Sequence, residues 1–509
     1  MELDARKMAE GTRLETGVCI VGAGPAGITL ARELTGRGVE VHLLESGGMD
    51  FEESLQDLNA GPVVGDAYAG LQQARRRQAG GAANLWNTPV GAELGAKFVP
   101  LDPWDFEARA EPTGGWPFDR SHLDPFYQRA QVVCGLGPFA YGGEDWSDAD
   151  HPCFDLDGDR LATRVYQFGP GRLFTGEYLR ELRVARNVHL CHHATACRLE
   201  TDSGGRRVAR AIVASSTGNR FTVTAGYFVL AAGAVENARL LLLSRDALDA
   251  PGNRHGWLGR CFMEHPRDRA LTLVPRSPEM FRTAAFYDAH VARGGHIVGG
   301  RLAMQGAPIR DGGLPNASVT LLPRLRNRPS SGGAGARMLR WLRRLGSARP
   351  ATGYGWSRQR DPAAVYDAFH LLVNLEQRPH PENRIVLSPA RDAFGSPRAE
   401  LHWEWRGEEQ VRLELLRAFL ARAIEDAGLG TVLIDAALPS DPNAHHHAGT
   451  TRMSADPHDG VVDANSRVHG MENLYVSGAS VFPTAGFANP VLTIVALALR
   501  LADHLWELR

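Results

Sequence analysis

Lysine and cysteine are both scarce in this 509-residue chain. Lysine occurs only at Lys7 and Lys97, so arginine carries nearly all the positive charge, and the formal net charge is −2. A balance so close to neutral provides no basic field for nucleic acid or anionic lipid. The six cysteines are scattered without a CxxC pair, which argues against a disulfide framework or zinc knuckle and favours a reducing compartment.

Long apolar runs are also missing from the sequence. No stretch approaches the ~18 uninterrupted apolar residues of a membrane-spanning helix. The first fifteen residues, MELDARKMAEGTRLE, lack the apolar segment of a secretion signal. With 43% hydrophobic and 22% charged residues, the composition is ordinary for a globular protein. We therefore expect a cytoplasmic protein that does not associate with a membrane.

The clearest motif is GVCIVGAGPAGITLARELTGRGVEVHLLESGG, which predicts a strand, a glycine turn, a helix and a second strand. Gly22 permits the tight turn, Gly24 lets a pyrophosphate approach the backbone, and Gly27 lets the helix pack closely on the sheet. Phosphate oxygens can then meet free N–H groups at the helix N-terminus. Glu45 ends the next strand, where it can accept hydrogen bonds from an adenosine ribose. Together these features predict a Rossmann-like dinucleotide site.

The glycine motif alone does not distinguish FAD from NAD. Two distant segments, YFVLAAGAVENARLLLLS at 227–244 and ENLYVSGASVFPT near the C-terminus, each predict a strand that ends in a turn of small residues. A nucleotide domain assembled from both ends of the chain is typical of large flavoproteins and favours FAD.

Other segments give coarser predictions. EEQVRLELLRAFLARAIEDAG predicts a helix, NPVLTIVALALRLADHLWELR predicts a last helix with proline at its first turn, and residues 51–146 show no clear period. The basic segment 337–344 is interpreted as a surface insertion, with an amphipathic contact helix for a membrane or partner as the alternative.

Four segments carry a resemblance to a known family: AGGAANLWN, LGRCFMEHP, LEQRPHPENRIVLS and HHAGTTRMSADPHDGVVDANSRVHGMENLYVSGASVFPTAGFANPVLTI. They resemble the glucose–methanol–choline (GMC) oxidoreductases over nearly the whole chain, and in particular the pyranose oxidases and bacterial sugar or glycoside oxidases. The resemblance implies an α/β fold with a Rossmann-like FAD-binding domain (15–110, 185–266 and 446–509). It also implies an interleaved substrate domain built on an antiparallel β-sheet with helices (111–184 and 267–445), with a mobile insertion at 325–360.

The resemblance also implies the site residues. With Gly449-Thr450 as the anchor of an H-x-x-G-T motif, His446 is the catalytic base, and Asn489 is the partner that holds the substrate hydroxyl. His265, Glu376, Asp463 and His469 lie in family-like segments, but structural roles are at least as good an explanation for them. The cofactor-binding residues expected on this basis are Gly22, Gly24, Pro25, Ala26, Gly27, Glu45, Ser46, Gly81, Asn84, Trp86, Asn87, Ala196, Ala232, Gly233, Gly478, Ala479, Asn489, Pro490 and Thr493. For Asn84 and Asn87, the role of ordinary turn residues is a fair alternative.

One departure from the family concerns flavin attachment. Pyranose and choline oxidases carry a flavin-linking histidine in a GG-x-x-x-H motif, and here that position is Leu85. Leucine has no nucleophile, so we expect dissociable FAD.

The run His445-His446-His447 raises the question of a metal site. In an extended segment neighbouring side chains alternate, so His446 is expected to point away from the other two. Three adjacent histidines then cannot converge on one ion, further ligands are not evident in the sequence, and we expect no metal.

The implied function is FAD-dependent oxidation of a CH–OH group of a sugar or glycoside, with His446 taking the hydroxyl proton and flavin N5 taking the hydride. The expected partners are a small-molecule sugar or glycoside and an electron acceptor, oxygen or another. Alternatives are a flavoprotein lyase of the hydroxynitrile type, oxidation of a non-sugar alcohol, an NAD-dependent reductase, and a non-catalytic FAD-binding scaffold.

Overall fold

The computed structural model describes residues 1–108, 115–245, 250–326 and 355–509. The strands, in chain order, are β1 (Glu2–Asp4), β2 (Arg13–Val21), β3 (Val41–Leu44), β4 (Val63–Gly65), β5 (Thr88–Val90), β6 (Glu93–Phe98), β7 (Leu161–Pro170), β8 (Val188–His192), β9 (Ala194–Thr201), β10 (Val208–Ser215), β11 (Arg220–Leu230), β12 (Arg267–Pro275), β13 (Ala289–Val291), β14 (Ile297–Met304), β15 (Ala317–Leu325), β16 (Tyr366–Leu375), β17 (Arg384–Arg391), β18 (Pro397–Trp403), β19 (Gly430–Ile434) and β20 (Leu474–Val476). The α-helices are α1 (Pro25–Thr35), α2 (Glu53–Gln56), α3 (Arg120–Val133), α4 (Tyr178–Val184), α5 (Ala234–Leu243), α6 (Met280–Thr283), α7 (Gly306–Arg310), α8 (Pro362–Val365), α9 (Gly407–Asp426) and α10 (Val491–Glu507).

The first sheet has the strand order β1-β8-β3-β2-β11-β10-β9, with β20 also paired to β11. Its central pairs, β8 with β3, β3 with β2, and β2 with β11, are parallel. All four residues of β3 and the last four of β2 are buried, as expected of parallel strands that are covered on both faces. The order β2, α1, β3 is the strand–helix–strand unit that the glycine motif predicts, which confirms that part of the interpretation.

The second sheet is antiparallel, with the order β19-β12-β16-β15-β14-β7-β6-β5 and with β13 on β14. Strands β5 and β6 join this sheet by pairing with each other and then with β7, although both come from a segment assigned by sequence to the FAD domain. A third, small sheet pairs β17 with β18 and β18 with β4. The mixed α/β architecture with a large antiparallel sheet agrees with the predicted fold class, whereas the domain boundaries remain a prediction.

Helix α3 was not expected, because the whole stretch 51–146 was predicted to be irregular. The sequence RSHLDPFYQRAQVV contains Pro125, which reads as a helix breaker. The helix forms because the side chain of Asp119 caps it by accepting from the N–H of His122, and because it packs against α10. Tertiary packing therefore overrides local propensity here.

The two predicted helices near the C-terminal end are present as α9 and α10. Pro490 occupies the N-cap position just before α10 rather than its first turn. Most of the predicted insertion 325–360, including the basic segment 337–344, lies outside the described residues. Within the described ranges, none of the helices has the length and apolarity needed to cross a membrane.

Candidate active site

The glycine turn between β2 and α1 is built by close backbone approaches. A Cβ atom on Gly22 would lie 2.6 Å from the carbonyl oxygen of Ala231, and one on Gly27 would lie 1.9 Å from that of Gly22. Side chains are therefore excluded at both positions. A Cβ on Gly24 would meet only the Cα of Gly81, at 3.9 Å, so this glycine borders open space. No side chain caps the N-terminus of α1, which leaves its first N–H groups for an anion.

Glu45 lies at the carboxyl end of β3, beside this turn. Its carboxylate is buried and accepts from the backbone N–H groups of Ala23 at 2.9 Å and Gly47 at 2.8 Å. A carboxylate has about four acceptor sites, so two remain for ribose hydroxyls. The next residue, Ser46, shares a hydrogen bond with Thr195 at 2.6 Å and accepts from Arg77 at 2.8 Å.

Two further turns face the same end of the sheet. Asn237 joins them: its Oδ1 accepts from the N–H of Ala232 at 2.8 Å, and its Nδ2 donates to Ser480 Oγ at 3.0 Å. Gly233 and Gly478 both have positive φ, and a Cβ on either would have no atom within 4 Å. The turns 22–27, 232–233 and 478–479 thus form an open, glycine-lined cradle with free N–H groups and a carboxylate at its edge. This donor set fits a dinucleotide such as FAD.

The remaining residues predicted to contact the cofactor have partners within the protein or lie exposed, and their positions do not by themselves indicate a flavin. Asn84 donates to the carbonyl oxygens of Ala79 and Gly81, both at 3.0 Å, which is the turn role considered as the alternative. Asn87 is exposed, and Trp86 packs edge-on against Phe98 and Phe174. Ala196 lies within β9, opposite Val213 of β10. The hydroxyl of Thr493 is buried and shares a 2.8 Å hydrogen bond with Tyr127. Flavin contacts by these residues remain predictions.

The two predicted catalytic residues meet. Nδ2 of Asn489, just before α10, lies 3.1 Å from Nε2 of His446. The loop that carries His446 is held by an antiparallel bridge between Met263 and Ala448, with two 3.0 Å hydrogen bonds. The loop passes so close to its neighbour that a Cβ on Gly449 would lie 2.1 Å from the carbonyl oxygen of Cys261. This contact explains why the H-x-x-G-T pattern needs its glycine.

Sequence reasoning missed the residue that connects the histidines. Glu264 is fully buried; its Oε2 accepts from the N–H groups of His446 at 2.9 Å and His265 at 3.1 Å. Its Oε1 accepts from the hydroxyl of Tyr68 and lies 3.3 Å from Nε2 of His447. Only the FMEHP segment could have pointed to Glu264, because the bridge that brings it to His446 is a tertiary contact.

The histidine run is not the extended strand that was expected, because His445 has φ of +62°. The side chains nonetheless divide: His446 faces Asn489 and His265, whereas His445 and His447 face Glu264. One ligand atom each from Glu264, His445 and His447 lies within 4.8 Å of the others, so a carboxylate that the sequence did not indicate lies beside two of the three histidines. Glu264 and His447 are already hydrogen-bonded, with Tyr68 Oη 2.8 Å from His447 Nε2. The absence of a metal remains a prediction.

Burial dominates the electrostatics of the two facing histidines. Burial lowers the pKa of His446 to about 3, and the neighbouring His265 adds to the effect. Burial likewise lowers the pKa of His265 to about 4, although the charge of Glu264 opposes this. For Glu264, burial would raise the pKa, but the hydrogen bond and charge of His447 and the hydroxyl of Tyr68 hold it at about 2. At neutral pH the site therefore holds two neutral imidazoles beside a carboxylate.

The other residues noted in family-like segments have structural roles. Oε2 of Glu376 accepts from the N–H of Asn316 at 3.1 Å. Asp463 accepts from the N–H groups of Asn465 and Arg467 and so closes a turn, and Nε2 of His469 lies 3.1 Å from the carbonyl oxygen of Ser454.

Two family models match the chain. One described as GMC oxidoreductase matches residues 379–498, and one described as FAD binding domain matches residues 15–54. The first range contains His446 and Asn489, and the second contains the glycine turn.

Relatives match over nearly the whole length. A 6'''-hydroxyparomomycin C oxidase of Streptomyces lividus is 25% identical over 96% of this chain and 91% of its own. A 2-methyl-1,2-propanediol dehydrogenase of Mycolicibacterium austroafricanum is 24% identical over 96% of this chain and 95% of its own. The crystal structure of pyridoxine 4-oxidase from Mesorbium loti has the same fold, with a TM-score of 0.57 at 19% identity over 96% of this chain and 99% of that one.

Fold and cradle together define an FAD-dependent oxidoreductase. The chain is similar to the GMC oxidoreductases, because residues 379–498 match their family model, and this agrees with the sequence resemblance.

Proposed function

We propose that the protein oxidises a CH–OH group of a sugar or glycoside to the carbonyl, with non-covalently bound FAD as its cofactor. The observation that carries the proposal is the 3.1 Å contact between Asn489 and His446. The loop of His446 adjoins the cradle, because the N–H of Gly449 donates to the carbonyl oxygen of Ala479 at 3.1 Å. A relative of similar length that oxidises a paromomycin derivative, which is a glycoside, supports the substrate class. FAD, when bound, supplies the acceptor for the hydride that leaves the carbon.

The chain's own residues supply orientation and proton transfer. His446 is neutral at pH 7 because burial lowers its pKa to about 3, so the lone pair of its unprotonated ring nitrogen can take the hydroxyl proton when the substrate hydroxyl replaces the Asn489 amide as its partner. The Nδ2 of Asn489 can donate to the same hydroxyl oxygen and so fix the direction in which the C–H bond points.

A non-sugar alcohol is the second candidate, since the propanediol dehydrogenase is similar to this chain at nearly the same identity and coverage as the paromomycin-derivative oxidase. The experiment that separates the two is anaerobic mixing of the oxidised, FAD-loaded protein with matched panels of sugars, glycosides and small diols, followed by the flavin absorbance. Bleaching by glycosides at lower concentrations than by diols supports the proposal. Bleaching by diols alone would replace it, and no bleaching by any alcohol would favour the lyase alternative.

We further propose that the FAD is dissociable, because Leu85 stands where a linking histidine would be needed, and that the protein acts in the cytoplasm. The electron acceptor is oxygen or another oxidant. Admitting oxygen to the reduced protein, and measuring reoxidation and hydrogen peroxide, distinguishes an oxidase from a dehydrogenase.

A further inference from the structure

The catalytic histidine faces a second histidine through matching nitrogens. Nδ1 of His446 lies 3.0 Å from Nδ1 of His265, with the two rings nearly perpendicular at 72°. A hydrogen bond between two ring nitrogens requires a proton on one of them and a lone pair on the other. Because both imidazoles are neutral at pH 7, one Nδ1 carries the proton and the other accepts it.

Asn489 decides which ring is the donor. Its amide nitrogen, Nδ2, lies 3.1 Å from Nε2 of His446, and an amide N–H can only donate. Nε2 of His446 is therefore an acceptor and carries no proton. The proton of His446 must then be on Nδ1, which donates to Nδ1 of His265.

Glu264 holds both rings in this arrangement through their backbones. Its Oε2 accepts from the N–H groups of His446 and His265, at 2.9 Å and 3.1 Å. Glu264 is itself fixed, because Tyr68 donates to its Oε1 and because its own N–H donates to Oε1 of Gln377 at 2.9 Å. A single buried carboxylate thus sets the position of two chain segments that are 181 residues apart.

We propose that His265, held by Glu264, is a positioning residue that keeps His446 in the tautomer with its proton on Nδ1 and its lone pair on Nε2. The inference rests on the proposed function, in which Nε2 of His446 receives the hydroxyl proton. In that step the substrate O–H bond breaks and an N–H bond forms at Nε2, while the Nδ1 proton stays in its bond to His265. The resulting imidazolium lies next to the negative charge of Glu264, which stabilises it.

The tautomer can be measured without any substrate. Nitrogen-15 spectra of the oxidised, FAD-loaded protein labelled at histidine, recorded at pH 7, report which ring nitrogen is protonated, and His446→Gln assigns the signals. We expect a proton on Nδ1 of His446 and none on Nε2. A proton on Nε2 overturns the inference whatever the activity, whereas a wild-type protein that no alcohol reduces would count against the proposed function alone.

Variants at His265 test the consequence for catalysis. His265→Leu removes the acceptor and is expected to slow flavin reduction by about 10–100-fold with FAD content unchanged, by analogy with the loss when partners that orient metal-ligating histidines are removed. His265→Gln keeps a carbonyl that can accept from Nδ1 and is expected to recover most of the rate. His458→Leu, at an exposed histidine, is the control and should behave as wild type. Equal loss in the Leu and Gln variants, or no loss in either, would contradict the assignment.

Discussion

Asn489 and His446 are 43 residues apart in the chain, yet Nδ2 of the first lies 3.1 Å from Nε2 of the second. The contact is made because the loop of His446 is bridged to the Met263 segment, while Asn489 directly precedes Pro490, the N-cap of α10. Neither residue depends on the other for its placement. Substitution of one should therefore leave the backbone of the other in place, so that the loss of their hydrogen bond can be tested by itself.

Removal of the base should leave the cofactor in place. We expect His446→Ala to bind FAD normally. The rate at which substrate reduces its flavin should fall roughly 10²–10⁴-fold, which is the contribution of a positioned acid–base group. Stopped-flow absorbance under anaerobic conditions measures this rate. His458→Ala, at an exposed position, serves as the control, and near-normal reduction in His446→Ala would remove His446 from the mechanism.

A charge placed at position 489 should change the pH dependence. Burial lowers the pKa of His446 to about 3, so acidification from pH 7 to about pH 4 should not protonate it in the wild type. In Asn489→Asp a carboxylate would stand beside the ring and raise its pKa, so that the rate falls at a higher pH. Asn489→Ala should lower the rate of flavin reduction, but the pH at which that rate falls to half its maximum should stay as in the wild type. Identical midpoints in the Asp and Ala variants would contradict the contact.

Gly24 should be needed for FAD but not for folding. A Cβ on Gly24 would make only a 3.9 Å contact in the protein, but it would project into the space expected for the pyrophosphate. We expect Gly24→Ala to keep the thermal stability of the apoprotein and to bind FAD about tenfold more weakly, roughly 1.4 kcal/mol. Gly36→Ala, at the far end of α1 with its nearest neighbour at 3.6 Å, should change neither property. Unchanged FAD affinity in Gly24→Ala would place the pyrophosphate elsewhere.

Flavin attachment has a direct test. If Leu85 leaves the cofactor unlinked, acid precipitation of the purified protein should release all yellow colour into the supernatant. Colour that stays with the pellet would show a covalent bond to another side chain and would overturn the prediction. Incubation of the apoprotein with FAD should restore the flavin spectrum.

Acidification should destabilise the protein partly through His265. Its pKa falls from 6.5 to about 4 on folding, so between these pH values the unfolded chain binds more protons and the free energy of unfolding decreases as pH falls. Each pKa unit corresponds to about 1.4 kcal/mol, so His265 contributes on the order of 3 kcal/mol over this window. Denaturant unfolding at a series of pH values measures this. The free energy of unfolding should decrease less steeply with falling pH for His265→Gln than for wild type. His458→Gln should follow the wild-type curve.

Local signals made much of the fold and site predictable. The glycine turn, the helix α1 and the paired strands β2 and β3 follow from residue spacing, and the partnership of His446 with Asn489 follows from a family motif. Helix α3 was missed because its stability comes from packing against α10, which no local pattern records. Glu264 was missed for a related reason: a buried carboxylate is recognised by its partners, and apart from the adjacent His265 those partners come from two distant segments.

Strand β11 pairs with β2 near one end of the chain and with β20 near the other. A ribosome that has made the first 470 residues has therefore produced neither β20 nor the 478–479 turn, and the cradle for FAD is still incomplete. Contacts between residues so distant in sequence form late and slow the search for the native state. We conclude that the complete cradle cannot capture flavin before β20 and the 478–479 turn have been made, and that until then β11 lacks the strand that pairs with its carboxyl end.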